Sequence, residues 1–434
     1  MNDFFGLKAQ GTSWRREVVA GVTTFLTMAY ILFVNAFILA DAGMDPGAVF
    51  VATALASAIA CLIMGLWANY PIALAPGMGL NAFFAYSVVL GMGIPWETAL
   101  AGVLVSGLLF MLLTVSRVRE QVINAIPLQL KMAAGAGIGI FIAFIGLKNA
   151  GIIVASEPTL VTLGDLGSAA PLLAIFGVVL TSFFLVRGYR AAVFYGMVGT
   201  IIGGILVGAV AAPAAVVSAV PSLAPTFGKA VTHLPEVLLS PALWLVVFTF
   251  LFVDLFDTTG TLMAVAHQGG FLKDNKLPRV GRALGADSTA TVVGAVLGTS
   301  TTTSYIESAS GVAAGGRTGL TAVVVAVLFV LSLFFSPLLE IFLAHPELTS
   351  PALIIVGVFM ASALGHIEWQ KPEYAIPAFV TAIAMPLTFS IATGIALGFL
   401  LYPLTKVFKG EWRQVHPLMY VLFVIFIAYF VWAR

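Results

Sequence analysis

Ala75-Pro76-Gly77-Met78-Gly79-Leu80-Asn81-Ala82-Phe83-Phe84-Ala85-Tyr86 and Gly298-Thr299-Ser300-Thr301-Thr302-Thr303-Ser304-Tyr305-Ile306-Glu307-Ser308 are short polar runs about 230 residues apart, each inside hydrophobic sequence. Lipid cannot satisfy the backbone groups that Pro and Gly release, nor solvate a carboxylate. Such breaks persist where they line a cavity enclosed by protein. Two of them in corresponding places of two halves point to the binding site of a transporter.

The surrounding composition supports a membrane setting. Of 434 residues, 60% are hydrophobic and 9% charged, against about 25% charged in soluble domains. This is the composition of a polytopic membrane protein. A net charge of +1 gives no reason to expect a nucleic-acid partner. One cysteine, Cys61, excludes an intramolecular disulfide and a cysteine-cluster metal site. The run from Val18 to Ala40 is too long for a signal-peptide core and reads as a retained first span, with no soluble domain expected elsewhere.

A span needs about 20 apolar residues. Segments fall near 18–40, 47–68, 70–90, 98–115, 132–150, 171–187, 192–212, 241–267, 282–298, 300–313, 318–343, 351–365, 373–386 and 387–407, with an additional C-terminal helix at 417–433. The predicted fold class is therefore an all-α polytopic membrane protein with 14 transmembrane segments. With the N-terminus in the cytoplasm, 17 Lys and Arg fall inside and only Lys148, Lys229 and Arg434 outside, which satisfies the positive-inside rule. The third and tenth segments carry the polar runs. They lie seven segments apart, an odd number, so the two halves should be antiparallel. The similarity of Gly135–Phe141 to Ile354–Phe359 agrees with an inverted repeat. Most of the 43 glycines, including Gly135–Gly139, Gly199–Gly203 and Gly204–Gly208, are expected to serve close helix packing.

The strongest polar groups at membrane depth are Asn81, Asp254, Asp257 and Glu307. Asp254 and Asp257 are three residues apart in the eighth segment and share a helix face, with no basic residue in that segment. A short extended stretch followed by a half-helix from near Ile306 is expected in the tenth segment. Pro76-Gly77-Met78-Gly79 should open a matching half-helix in the third, with Asn81 and Phe83 entering the cavity. Half-helix N-termini offer free N–H groups to a solute. An ionised carboxylate only accepts hydrogen bonds, whereas its protonated form also donates. No cluster with metal-ligand spacing occurs, and the five histidines fall near predicted helix ends.

These residues resemble a known family. APGMGLNAFFAY (75–86), LFVDLFDTTGTL (251–262) and TSYIESASGVAAGGRTGLTA (303–322) closely resemble the AzgA-like branch of the nucleobase–cation symporter 2 family, the hypoxanthine, guanine and adenine permeases. TTFLTMAYILFVN (23–35) and GLWANYPIALAPGMG (65–79) fit as well, and the resemblance runs from about Arg15 to Trp412. It implies two inverted repeats of seven segments, with strand and half-helix breaks in segments 3 and 10. It further implies a core domain of 18–115 and 241–343 and a gate domain of 132–212 and 351–407, with 417–433 outside the plan. The implied activity is proton-coupled uptake of a purine base, with no cofactor beyond the proton, in a bacterial plasma (inner) membrane. By analogy, it also implies a homodimer.

The family's polar position in segment 3 matches Asn81, its acids in segment 8 match Asp254 and Asp257, and its segment 10 glutamate matches Glu307. The three acids are the candidates for proton coupling. Thr27 and Tyr30 are looser matches, and Phe83 or Tyr305 would contact the face of the base. Ala36 departs from the family, where proline often follows the asparagine. The competing readings are a transporter of the same fold for another nucleobase or a small anion, and an intramembrane hydrolase built on Asp254 and Asp257. Three acids without a buried cation argue against an anion. Two carboxylates on one helix do not form a dyad from facing elements.

Overall fold

A computed structural model describes residues 4–116, 126–272 and 277–432. The chain is mainly helical. In order come α1 (Trp14–Met28), α2 (Ile31–Asp41), α3 (Pro46–Ile63), β1 (Leu74–Pro76), α4 (Met78–Ala82), α5 (Trp96–Ser116), α6 (Leu128–Asn149), β2 (Ile153–Ser156) and β3 (Leu160–Leu163). Then follow α7 (Ala169–Val186), α8 (Ala192–Leu206), α9 (Pro241–Gly269), α10 (Val280–Leu297), β4 (Thr302–Ser304), α11 (Ser308–Ala313) and α12 (Gly319–Ser332). The last are α13 (Pro337–Ala344), α14 (Ser350–Ala361), α15 (Pro372–Thr388), α16 (Ile391–Phe408) and α17 (Pro417–Trp432).

Among the described residues, eight helices are long and apolar enough to cross a membrane, or nine if one bent pair counts as a single span. This is fewer than the hydrophobic segments in the sequence, and the reasons are local. The third and tenth segments are strand and half-helix rather than continuous helix. The eleventh turns by 76° between the Gly319–Phe335 stretch and α13, which starts at Pro337. Proline has no N–H to continue the ladder and clashes with the preceding turn. The thirteenth and fourteenth meet at Phe389, which adopts a left-handed φ of 52°. The Ser390 hydroxyl then caps α16 by accepting from Thr393 N at 3.2 Å. Arg117, Arg119, Lys273, Lys276 and Arg434, part of the charge count, lie outside the described residues.

At the centre, β1 and β4 pair antiparallel in the register Leu74↔Ser304, Ala75↔Thr303, Pro76↔Thr302. Two flanking bonds extend the pair: Gly77 N donates to Thr301 O and Tyr305 N to Ala73 O, both at 2.9 Å. Every residue of both strands is buried. Away from water a lone extended segment would leave its peptide groups unmet; each strand meets one edge of the other, and on the outer edges Leu74 bonds the Cys61 thiol and Ser304 N donates to Asp287. Each then runs into a short helix, α4 after Gly77 and α11 after Glu307. Beyond α4 the helix widens to π-helical turns over Phe83–Gly91. The exposed hairpin β2–β3 was not expected from the sequence.

Most of the glycines expected at close helix contacts are found there, Gly135 and Gly208 being exceptions. A Cβ on Gly139 of α6 would lie 2.4 Å from Met360 Cβ, and one on Gly357 of α14 would lie 2.6 Å from Gly139 O. The two segments whose sequences resemble each other thus pack against each other. Gly135, one turn before Gly139, has nothing within 4 Å of its Cβ position.

Glu17, fully buried in the first turn of α1, braces the N-terminus of α12. Its carboxylate accepts from Arg317 N at 2.9 Å, Thr318 N at 3.3 Å and Thr321 Oγ1 at 2.6 Å. An anion there is favoured by the free N–H groups and the helix dipole. Glu17→Ala is expected to lower stability by about 1–3 kcal/mol, the cost of leaving such donors unmet. A detergent-solubilised variant melting with the wild type would remove this role.

Candidate functional site

A cavity of about 700 Å³ lies between the β1–β4 crossing, α9, α6 and α14. Its polar wall is built by the breaks. Glu307, at the start of α11, accepts a hydrogen bond from Tyr30 Oη at 2.5 Å, and both residues line the cavity. Tyr30 reaches there because α1 ends at Met28 and α2 begins at Ile31, so Tyr30 sits at a break in the first segment. Asp257 of α9 also lines the cavity, facing Gly77: a Cβ on Gly77 would lie 3.8 Å from Asp257 Oδ2. The backbone of Gly77, Met78 and Gly79 supplies the start of α4. Tyr305 forms an aromatic face, its hydroxyl fixed on Pro76 O at 2.5 Å, and Phe252 and Phe256 add apolar area.

Four residues expected at the site stand elsewhere. Asp254 is 1% exposed and turned to α10, where Thr291 Oγ1 donates to its Oδ2 at 3.1 Å. At 3.6 residues per turn, positions three apart differ by about 60° around a helix. That angle is enough to place Asp254 behind β4 and Asp257 in front of it. Asn81 does not line the cavity; it accepts from the Ser300 hydroxyl and holds the turn before β4. Asn35 supports the same turn, donating to Thr53 Oγ1 at 2.7 Å and Thr299 Oγ1 at 2.8 Å. Phe83 packs edge-on against Phe250 at 4.9 Å between centroids, away from the cavity. Thr27 spends its hydroxyl on Thr24 O, 2.7 Å away in its own helix.

Three other residues enter the picture. Asp287 of α10 is fully buried and accepts from Thr258 Oγ1 at 2.7 Å and from Ser304 N and Oγ, both at 2.8 Å. It ties α9 and β4 together from behind. The signal was present, a lone acid in an apolar segment, which is costly in a membrane unless it has a purpose. Lys131 of α6 lines the cavity, with Nζ 5.7 Å from the Phe256 ring centroid, although its position in the sequence suggested only a cytoplasmic flank. His267, at the end of α9, lines it as well. Among the described residues, no group of three or more His, Cys, Asp or Glu is placed to hold a metal ion.

A buried two-strand crossing that feeds two half-helices into one cavity with a polar wall is a transporter's arrangement, and comparison with known proteins agrees. Residues 15–397 match the permease family Xan_ur_permease. The chain belongs to that family. It stands in the purine-permease branch of the nucleobase–cation symporter 2 proteins. This permease is 57% identical to the guanine/hypoxanthine permease PbuG of Bacillus subtilis over the full length of both chains. It is 46% identical to the adenine permease AdeQ of Escherichia coli, covering 98% of this chain and 95% of that one. The permease fold is similar to that of the transmembrane domain of the cyanobacterial bicarbonate transporter BicA. The TM-score is 0.66 and the identity 13%, over 88% of this chain and 97% of the other. SLC26A9 is similar too, at a TM-score of 0.63 and 11% identity, over 91% of this chain and 65% of that one. At these identities the likeness carries the fold and not the solute. The permease is an integral membrane protein.

Proposed function

We propose that this permease takes up the purine nucleobases hypoxanthine, guanine and adenine by proton symport with alternating access. The observation that carries the reading is the pairing of Asp257 and Glu307 in one cavity walled by Tyr305, Phe252 and Phe256. A purine offers a flat π-face and an edge of N–H donors. Aromatic rings suit the face and carboxylates suit the donors. The names of the relatives PbuG and AdeQ support the same solutes. A proton would neutralise one carboxylate of the site during part of the cycle and so lessen the cost of carrying charge within the membrane.

The architecture we propose for this cycle has 14 segments in two inverted repeats of seven. The antiparallel pairing of β1 with β4 supports it, as does the packing of the similar stretches of α6 and α14. The core would comprise 18–115 and 241–343, and the gate 132–212 and 351–407. The N-terminus would face the cytoplasm of a bacterial cell, in the plasma (inner) membrane, and the protomers would form a homodimer. The cycle moves the base without altering it, so the protein acts as a carrier and not an enzyme.

The test is uptake of radiolabelled adenine, guanine, hypoxanthine and uracil in cells lacking their own permeases, and in proteoliposomes with imposed gradients. Accumulation of purines but not uracil, driven by an inward proton gradient, is the expected result. Accumulation that follows sodium at uniform pH would refute proton coupling, and failure to take up any purine would refute the solute.

A further inference from the structure

The cavity holds both signs of charge. Lys131 is the fourth residue of α6, and its ammonium sits 5.7 Å from the centroid of Phe256, the residue before Asp257. One ammonium and the carboxylates of Asp257 and Glu307 therefore share the walls of a single cavity. Gly135, four residues on and on the same helix face, also lines the cavity and has nothing within 4 Å of its Cβ position, so no side chain fills that part of the wall. Lys donates and never accepts, whereas an ionised carboxylate accepts and never donates. A solute read by both walls must present acceptors along one edge and N–H donors along another.

Among purines this requirement separates two classes. A 6-oxopurine carries the carbonyl O6 and ring N7 as adjacent acceptors, a pair that Lys recognises in guanine. Its N1–H, joined in guanine by the 2-amino group, forms the donor edge. Adenine puts an amino donor at the 6-position, beside the same N7. Donor would then face donor at Lys131. We infer that Lys131 is the specificity-determining residue of this site, taking the O6/N7 edge of a 6-oxopurine while Asp257 and Glu307 take the N–H edge, so that hypoxanthine and guanine are favoured over adenine. This rests on the purine reading given above. The plain alternative is a lysine that covers apolar surface with its stem and only marks a helix end.

The test compares half-saturation concentrations for hypoxanthine, guanine and adenine in the wild type, Lys131→Met and Lys131→Arg. Wild type should prefer the two oxopurines. Lys131→Met should weaken both by about tenfold or more, the loss of one hydrogen bond from a charged donor, and leave adenine unchanged. Lys131→Arg, which keeps charge and donors, should keep the preference. Equal weakening of all three bases, or of none, would overturn the assignment. If Lys131→Met does not reach the membrane, Lys131→Gln decides. Its amide can also accept, so the hypoxanthine-to-adenine ratio should shrink, and an unchanged ratio would overturn the assignment. A wild type that takes up no purine removes the purine reading itself, whereas intact uptake with an unaltered ratio in Lys131→Met removes only the role of Lys131.

Discussion

Glu307→Gln is expected to weaken purine binding by about 10- to 100-fold and to stop measurable uptake, while the protein still reaches the membrane. Tyr30 Oη donates to Glu307 Oε1, and the amide oxygen of Gln can keep that bond. The amide nitrogen must then occupy the place of the second carboxylate oxygen. A donor would face the donor edge of the base where an acceptor stood. The loss corresponds to about 1.5–3 kcal/mol for a hydrogen bond to a charged group. Tyr30→Phe serves as the control, because it removes the bond to Glu307 but leaves the carboxylate, and its effect should be smaller. Equilibrium binding to purified protein, alongside uptake, is the measurement. Near-normal affinity in Glu307→Gln would take this carboxylate out of recognition.

The second large effect separates two acids that look alike in sequence. Asp287→Ala should destabilise the whole crossing, because Ser304 N and Oγ both lose the carboxylate that accepts from them in a buried place. Each unmet buried donor costs about 1–3 kcal/mol. Melting should fall, and uptake of every base should fall with it. Asp287→Asn, which keeps an acceptor for Ser304, should recover much of the stability. Asp257→Asn should behave in the opposite way: a wild-type melting curve with impaired accumulation, and exchange of internal for external base less affected, since exchange does not require the empty carrier to return. An Asp287→Ala protein as stable as wild type would show that the carboxylate does not hold β4. Equal loss of exchange and accumulation in Asp257→Asn would place that acid in binding alone.

The contrast also marks how far sequence reading reaches here. The two breaks were legible because Pro76, Gly77 and the run Thr299–Ser304 violate what a lipid-facing helix tolerates, and the structure has strand and half-helix in both places. Glu307 and Asp257 were legible for the same reason, and both line the cavity. Hydropathy could not say which flank of α9 faces the cavity, since Asp254 and Asp257 belong to one helical stripe until α10 is packed against it. Asn81 was misplaced similarly: its partner, Ser300, comes from a turn more than 200 residues away. Glu17 and Lys131 stand near helix ends, where charge is ordinary, so nothing in their immediate sequence distinguished them. Hydropathy also did not show where Pro337 bends the eleventh segment or where the left-handed Phe389 separates the thirteenth from the fourteenth.

The pairing of β1 with β4 bears on how the protein is made. The partner of β1 is synthesised about 230 residues after it. At roughly 5–20 residues per second, that is an interval of about 10–45 s. Throughout it, the edge of β1 that faces β4 has no native partner inside the bilayer, and the first half of the chain must wait unfinished in the membrane. A ribosome that stops within this interval leaves a fragment whose defect is a short stretch of unpaired backbone. Membrane quality-control proteases, which act on such exposed segments, would have a way to tell a half-made transporter from a finished one.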